Sequence, residues 1–200
     1  SGRHPAQRRL AFEELLAQQL ALRRLREEIR RDPGWPIQVP GALAARLLEQ
    51  LGFPLTGAQR RVAGEINTDL ASGHPMLRLV QGDVGSGKTV VAALAAVAAI
   101  EAGCQVALMA PTELLAEQHA RNFSRWLRPL GIETLLLSAR ITGRARQGAR
   151  EAIAAGSHPF VIGTHALFQE RVGFARLALV IVDEQHRFGV QQRLALRDKG

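Results

Sequence analysis

Leu77-Arg78-Leu79-Val80-Gln81-Gly82-Asp83-Val84-Gly85-Ser86-Gly87-Lys88-Thr89 is the stretch from which the rest of the chain can be read. Gly82, Gly87, Lys88 and Thr89 satisfy G-x-x-x-x-G-K-[ST]; the apolar run before them predicts a short buried strand and the alanine-rich run after them a helix. A phosphate-binding loop requires that context. Glycines at 82, 85 and 87 let backbone N–H groups close around phosphate oxygens, which a Cβ would obstruct, and Asp83, Val84 and Ser86 complete the same cradle. The helix starting near Lys88 adds its positive end. Lys88 would reach the β and γ phosphates of ATP as a point charge, and the Thr89 hydroxyl would ligate Mg²⁺. A glycine-rich turn without a ligand is the plainer alternative, disfavoured because strand, loop and helix follow in the required order.

The chain has 200 residues, enough for one sizeable core or a domain with an appendage. Alternating apolar runs and helical stretches favour an α/β fold. The single cysteine, Cys104, excludes an internal disulfide and fits a reducing compartment. The longest apolar run, Val90 to Ile100, is too short to span a bilayer and is expected to be a buried helix. With no secretory signal before it, no membrane partner and a cytoplasmic location are expected. A formal net charge of +8 suggests a polyanionic partner. Charge alone leaves nucleic acid binding open, because lysine occurs only at 88 and 199 and an arginine- and alanine-rich coding bias accounts for part of the composition. The same bias makes Lys88 more telling.

Residues 1 to 31 carry Phe12, Leu15, Leu22, Leu25 and Ile29 at helical spacings, an amphipathic helix that needs something to pack on. His4-Pro5 marks its start and Asp32-Pro33-Gly34 its stop. Its mixed charges read as a solvated face. Asp32 to Gly41 is a Pro/Gly-rich linker with Trp35, dividing residues 1–41 from a lobe at 42–200. A helix over Ala42 to Leu51 follows, and Thr56 is placed to cap another with Gln59 in its first turn. Beyond the glycine loop the pattern alternates. Strands are expected at Gln105–Ala110, Glu133–Ser138, Phe160–Gly163 and Ala178–Asp183, and helices at Glu113–Leu127 and Arg144–Ala155. Continuously apolar strands are buried on both faces, as in a parallel sheet between helices, so Ala110, Gly163 and Asp183 should end at the ligand edge.

Leu179-Val180-Ile181-Val182-Asp183-Glu184 is an apolar strand ending in two carboxylates. Downstream of a phosphate loop, Asp183 would hold Mg²⁺, usually through water, and Glu184 would orient and deprotonate a water attacking the γ phosphate. A solvated acidic strand end is the alternative.

Asp183-Glu184-Gln185-His186 resembles the D-E-x-H signature of superfamily 2 nucleic acid helicases. Phe53-Pro54-Leu55-Thr56 with Gln59 looks like their adenine-reading Q motif, Ala110-Pro111-Thr112-Glu113-Leu114 like motif Ia and Gly163-Thr164-His165 like motif Ic, in the same order. The strings Gln81 to Thr89 and Asp183 to Val190 are similar to those of the RecG family of bacterial branched-DNA helicases, and Arg9 to Leu16 looks like the linker helix preceding its motor. Transcription-repair coupling factors share the loop and the Arg187-Phe188-Gly189-Val190 string, but usually have an acidic residue where this chain has Gln185.

The resemblance implies a RecA-like P-loop NTPase lobe that uses ATP and Mg²⁺ and acts on branched duplex DNA in the bacterial cytosol. It implies adenine contacts from Phe53 and Gln59 and DNA-backbone contacts from Pro111, Thr112, Glu113, Gly163 and Thr164. For Thr112 and Thr164 a helix cap remains as good a reading. His186 would couple the nucleotide to the DNA motifs. Arg140, Arg144, Arg146 and Arg150 fit a DNA-facing edge, and a solvated helix face better. The family's motor also has a second RecA-like lobe, which supplies a transition-state arginine, and a wedge domain. Motif III would follow Gly200, its strand lying between those ending at Gln81 and Val182, so an incomplete sheet is expected. A different DNA-translocating ATPase, and a nucleotide-binding fragment inactive alone, stay open.

Overall fold

The computed structural model describes residues 36–38, 40–83, 85–164, 167 and 172–183, together with residues 9, 12–17, 19–20 and 23–24. Four strands, β1 (Gln105–Met109), β2 (Thr134–Leu137), β3 (Phe160–Gly163) and β4 (Leu177–Val182), form one parallel sheet in the order β2-β3-β1-β4. Around it lie α1 (Ala42–Leu51), α2 (Gly57–Ala71), α3 (Lys88–Glu101), α4 (Glu113–Leu127) and α5 (Gly143–Ala154).

Alternation along the strands sends side chains to both faces. Val106 and Leu108 of β1 and Phe160 and Ile162 of β3 pack with α1 to α4, while Ala107, Met109 and Val161 pack with Ile153 of α5. The parallel sheet with helices on both faces is therefore the one expected. Nine residues of α3 are buried, as its unbroken apolar run required. Among the described residues no helix is long and apolar enough to cross a membrane.

The helix starts have identifiable causes. Gln59 N–H donates to Thr56 Oγ1 at 3.2 Å, while Thr56 N–H donates to Gln59 Oε1 at 2.8 Å, a reciprocal cap that starts α2. Thr112 Oγ1 accepts from Leu115 N–H at 3.3 Å and starts α4. α1 has no capping side chain of its own; Gly41 stands there at φ 87°. The Glu101 carboxylate at the end of α3 takes that role, accepting from the N–H groups of Gly41, Ala42 and Leu43 at 3.0, 2.9 and 3.1 Å.

A second long-range device is Gln105, a polar residue 3% exposed at the start of β1. Its Nε2 donates to the carbonyls of Ile153 and His158 at 3.0 and 3.1 Å, and its Oε1 accepts from Ala175 and Arg176 N–H at 2.8 and 3.1 Å. All four amide positions are satisfied, and the entrances to β3 and β4 are fixed to β1.

One expectation is overturned. Residues 77–81 were expected as a short buried strand, but they join no ladder, and Leu77 and Leu79 are 46% and 60% exposed. The reason lies in the sheet: β4 pairs with β1 on one side only among the described residues, so nothing bridges it to this segment. Among the described residues no strand lies between this segment and β4. Met76 and Val80 still pack on the core. Arg78 anchors the segment to α2, with Nε 2.8 Å from Asp69 Oδ2 and a second ion pair to Glu65. The hydrogen bond to Asp69 is the first cause holding the guanidinium above its ordinary pKa, although burial opposes it.

Of the amphipathic N-terminal stretch, residues 12–17 are helical, with Phe12, Leu15 and Leu16 exposed. Within the expected linker, Ile37 is buried and its N–H donates to Leu70 O at 2.9 Å.

Replacing Gln105 by Leu removes all four of these hydrogen bonds, although Ile153 O keeps one from Gly156 N–H, and should cost about 1–3 kcal/mol. Glu101→Ala should cost about 1–2 kcal/mol through the lost cap. Urea unfolding measures both; losses under about 0.5 kcal/mol would contradict these roles.

Candidate nucleotide and DNA site

Parallel pairing brings the C-terminal ends of the strands to one edge. Ala110 N–H donates to Gly163 O and Asp183 N–H to Met109 O, each at 2.9 Å, so the three strand ends expected there are tied together. Residues 102–104 turn α3 back into β1, and α3 is 14 residues, about 21 Å, long. Its N-terminus with Lys88 therefore lies towards that same edge. This is where ligands bind in open parallel sheets.

The glycine loop has the spacing its backbone needs. Gly85 and Gly87 have φ of 80° and 82°, the left-handed region that favours glycine. A Cβ on Gly82 would come within 2.6 Å of Ser86 Oγ, and one on Gly87 would run into Gln59 Nε2. Lys88 Nζ donates to the carbonyls of Gly82 and Asp83 at 2.6 and 2.8 Å, which keeps its charge on the loop. Gln59 Nε2 donates to Ser86 O at 2.9 Å. One side chain thus caps α2 through its oxygen and braces the loop through its nitrogen. Val84 of the expected cradle lies outside the described residues. Phe53 is half exposed and lines an open cleft of about 500 Å³ with Leu48, Pro54, Leu55 and Arg60.

Asp183 stands at the end of β4, where Oδ2 meets His119 Nε2 of α4 at 2.7 Å. His119 carries no local signal in the sequence: it lies seven residues past Thr112 on an ordinary amphipathic helix. Glu184 and His186 lie outside the described residues, as do Gln185, His165, Phe168 and Phe188. Among the described residues no three His, Cys, Asp or Glu side chains gather. A hydroxyl on Thr89 and a carboxylate on Asp183 suit Mg²⁺, a hard cation usually held by one or two protein oxygens plus phosphates and water, so the residues present fit that ion and ATP.

The motif Ia and Ic residues meet each other. Thr164, 6% exposed, donates from Oγ1 to Glu113 Oε1 at 3.4 Å, and the same oxygen accepts from Ala139 N–H at 3.1 Å. Thr112 is the α4 cap described above, with Pro111 just before it. Gly163 admits no Cβ, which would lie 2.9 Å from Leu137 O. Of the arginine run, Arg140 pairs with Glu117 at 2.6 Å, and Arg146 Nη1 donates to the carbonyls of Ser138 and Ile141.

Residues 56–198 match the DEAD/DEAH box helicase family. The chain belongs to that family. Its full length is 57% identical to the ATP-dependent DNA helicase RecG of Haemophilus influenzae and 59% identical to that of Escherichia coli K12. It spans 29% of the length of each. A structure of RecG bound to a three-way DNA junction superposes with a TM-score of 0.83 at 46% identity, over 91% of this chain and 25% of that one. The family membership and this superposition support a RecG-type motor lobe with a RecA-like P-loop fold, although one of the sheet's expected strands is unpaired.

Gly87→Ala should weaken fluorescent-nucleotide binding about tenfold or more, because φ 82° is strained for any residue with a Cβ and the loop would leave the conformation its N–H groups need. Gly64→Ala, with open space around it on α2, should leave binding unchanged and add about 0.5–1 kcal/mol of stability. Equal binding by both variants would contradict the cradle.

Proposed function

We propose that this chain is the first RecA-like lobe, at 42–200, with its linker helix at 1–41, of a bacterial ATP-dependent helicase of the RecG type. The whole protein couples ATP hydrolysis to translocation on branched duplex DNA, reversing stalled forks and migrating Holliday junctions in repair and recombination. The observation that carries the reading is the Gly82–Thr89 loop, with left-handed glycines and Lys88 bonded to its carbonyls, followed by Asp183 at the sheet's C-terminal edge. Support for the substrate comes from the RecG relatives and from the relative bound to a three-way junction.

In this reading, backbone N–H groups of residues 82–87 and the start of α3 hold the phosphates, with Lys88 on the β and γ groups. Thr89 and Asp183 hold Mg²⁺, whose chemistry is to neutralise charge developing on the transferred phosphoryl group. Glu184 orients the attacking water and accepts its proton, and His186 links the nucleotide to the DNA motifs. Phe53 and Gln59 receive the adenine. For Gln59 this requires giving up a bond it now makes, since its oxygen and nitrogen are committed to Thr56 and Ser86. Pro111, Thr112, Glu113, Gly163 and Thr164 meet the DNA backbone, through N–H groups and hydroxyls that suit phosphate and carry no sequence information. A second lobe supplies the arginine that completes hydrolysis, and a wedge domain grips the branch. The protein works in the bacterial cytosol.

In the full-length protein, Lys88→Ala should reduce DNA-stimulated ATP turnover to background and abolish fork unwinding, read by phosphate release and by strand displacement on a labelled fork. Fork unwinding at the unsubstituted rate would refute the assignment.

A further inference from the structure

His119 lies on α4, 64 residues from Asp183 in sequence, yet its Nε2 is 2.7 Å from Asp183 Oδ2. Its side chain is 15% exposed and its ring is tilted against that of Phe123, centroids 6.2 Å apart, so the imidazole is held by the core. Nδ1 is buried and has no hydrogen-bond partner among the described residues. A proton on Nδ1 would be a buried donor without an acceptor, which costs about 1–3 kcal/mol. In the neutral ring the proton therefore sits on Nε2, which donates it to Asp183. Asp183 follows the last residue of β4 and is about a third exposed, and its short side chain has several rotamers to choose from. A bond from a ring fixed in the core restricts that freedom.

We propose that His119 is a positioning residue for the cation site: it presents the Asp183 carboxylate in one orientation, so that the oxygens available to Mg²⁺ or its water are set before nucleotide arrives. The inference rests on the reading of Asp183 as a cation-holding carboxylate. An ionised carboxylate offers about four lone-pair sites, so accepting an N–H at Oδ2 and holding a cation are compatible. Partners that orient a ligating carboxylate typically change metal affinity by about 10–100-fold when removed. The effect should fall on the cation, not on the phosphates, because Lys88 and the glycine loop are on another segment.

The test uses Mn²⁺ as the probe. Binding of Mn²⁺ with ADP to the full-length protein is followed by electron paramagnetic resonance, and ADP binding without metal by fluorescence. His119→Leu fills the space without a donor, His119→Gln places an N–H near the former Nε2, and His119→Asn places one too short to reach. The expected result is Mn²⁺ affinity about tenfold weaker in H119L and H119N, within about twofold of the starting protein in H119Q, with metal-free ADP binding unchanged in all three. Should H119L fail to fold, the contrast between H119Q and H119N carries the test. Unchanged Mn²⁺ affinity in H119L and H119N, or H119Q as weak as H119N, would overturn the positioning role. Asp183→Asn separates this from failure of the underlying reading. If D183N loses Mn²⁺ affinity and the His119 variants do not, only the role of His119 falls; if D183N binds as before, the cation site itself is wrongly assigned.

Discussion

A strand buried on both faces has no water to fall back on, so every backbone polar group must be met by a neighbouring strand or by a side chain brought for the purpose. β1 is that strand here. All five of its residues are buried, and it pairs with β3 on one side and β4 on the other. The neighbours enter at different heights: the β1–β4 register shifts between Gln105 and Val106. The Gln105 amide lies at that shift, bonding to Ile153, His158, Ala175 and Arg176, where the incoming chains have left ladder geometry. With the entrances fixed, the exits are fixed too. Ala110, Gly163 and Asp183 emerge side by side because the strands that carry them are held in register.

The edge where they emerge is polar in a protein that is otherwise dry at its centre, and the same side chains serve structure and site. Thr56 and Gln59 start α2, and Gln59 also braces Ser86 of the loop. Thr112 starts α4, while Glu113 ties Thr164 to Ala139. His119 is gripped by Phe123 and grips Asp183. A ligand arriving at such an edge does not enter an open hole. The donors and acceptors of the edge are already committed, at the start of α2 through Thr56 and Gln59 and at the start of α4 through Thr112 and Glu113.

Local patterns made much of this legible. The Gly82–Thr89 spacing and the apolar run after it foretold a glycine loop opening a buried helix, and Thr56 and Thr112 stood where caps stand. Continuous apolar strands at 160–163 and 178–182 pointed to a sheet covered on both faces. What the sequence hid depends on distance along the chain. Glu101 caps a helix about 60 residues away, and Gln105 and His119 act on partners 48 to 71 and 64 residues off. No window of neighbouring residues contains both halves of such a contact. The misread segment at 77–81 shows the converse: Leu77, Leu79 and Val80 have strand composition, but a strand is made by its partner, and Arg78 holds this one to α2 instead.

In the function proposed above, Gly82–Thr89 and Asp183 form one Mg-nucleotide site. A crystal structure of the full-length protein with Mg²⁺ and a non-hydrolysable ATP analogue tests it most directly. The expected result is phosphates within the 82–89 loop, the cation between Thr89 and Asp183, and the Gln59 amide turned from Ser86 to the adenine. Nucleotide bound away from this loop, or a cation held without Asp183, would contradict it.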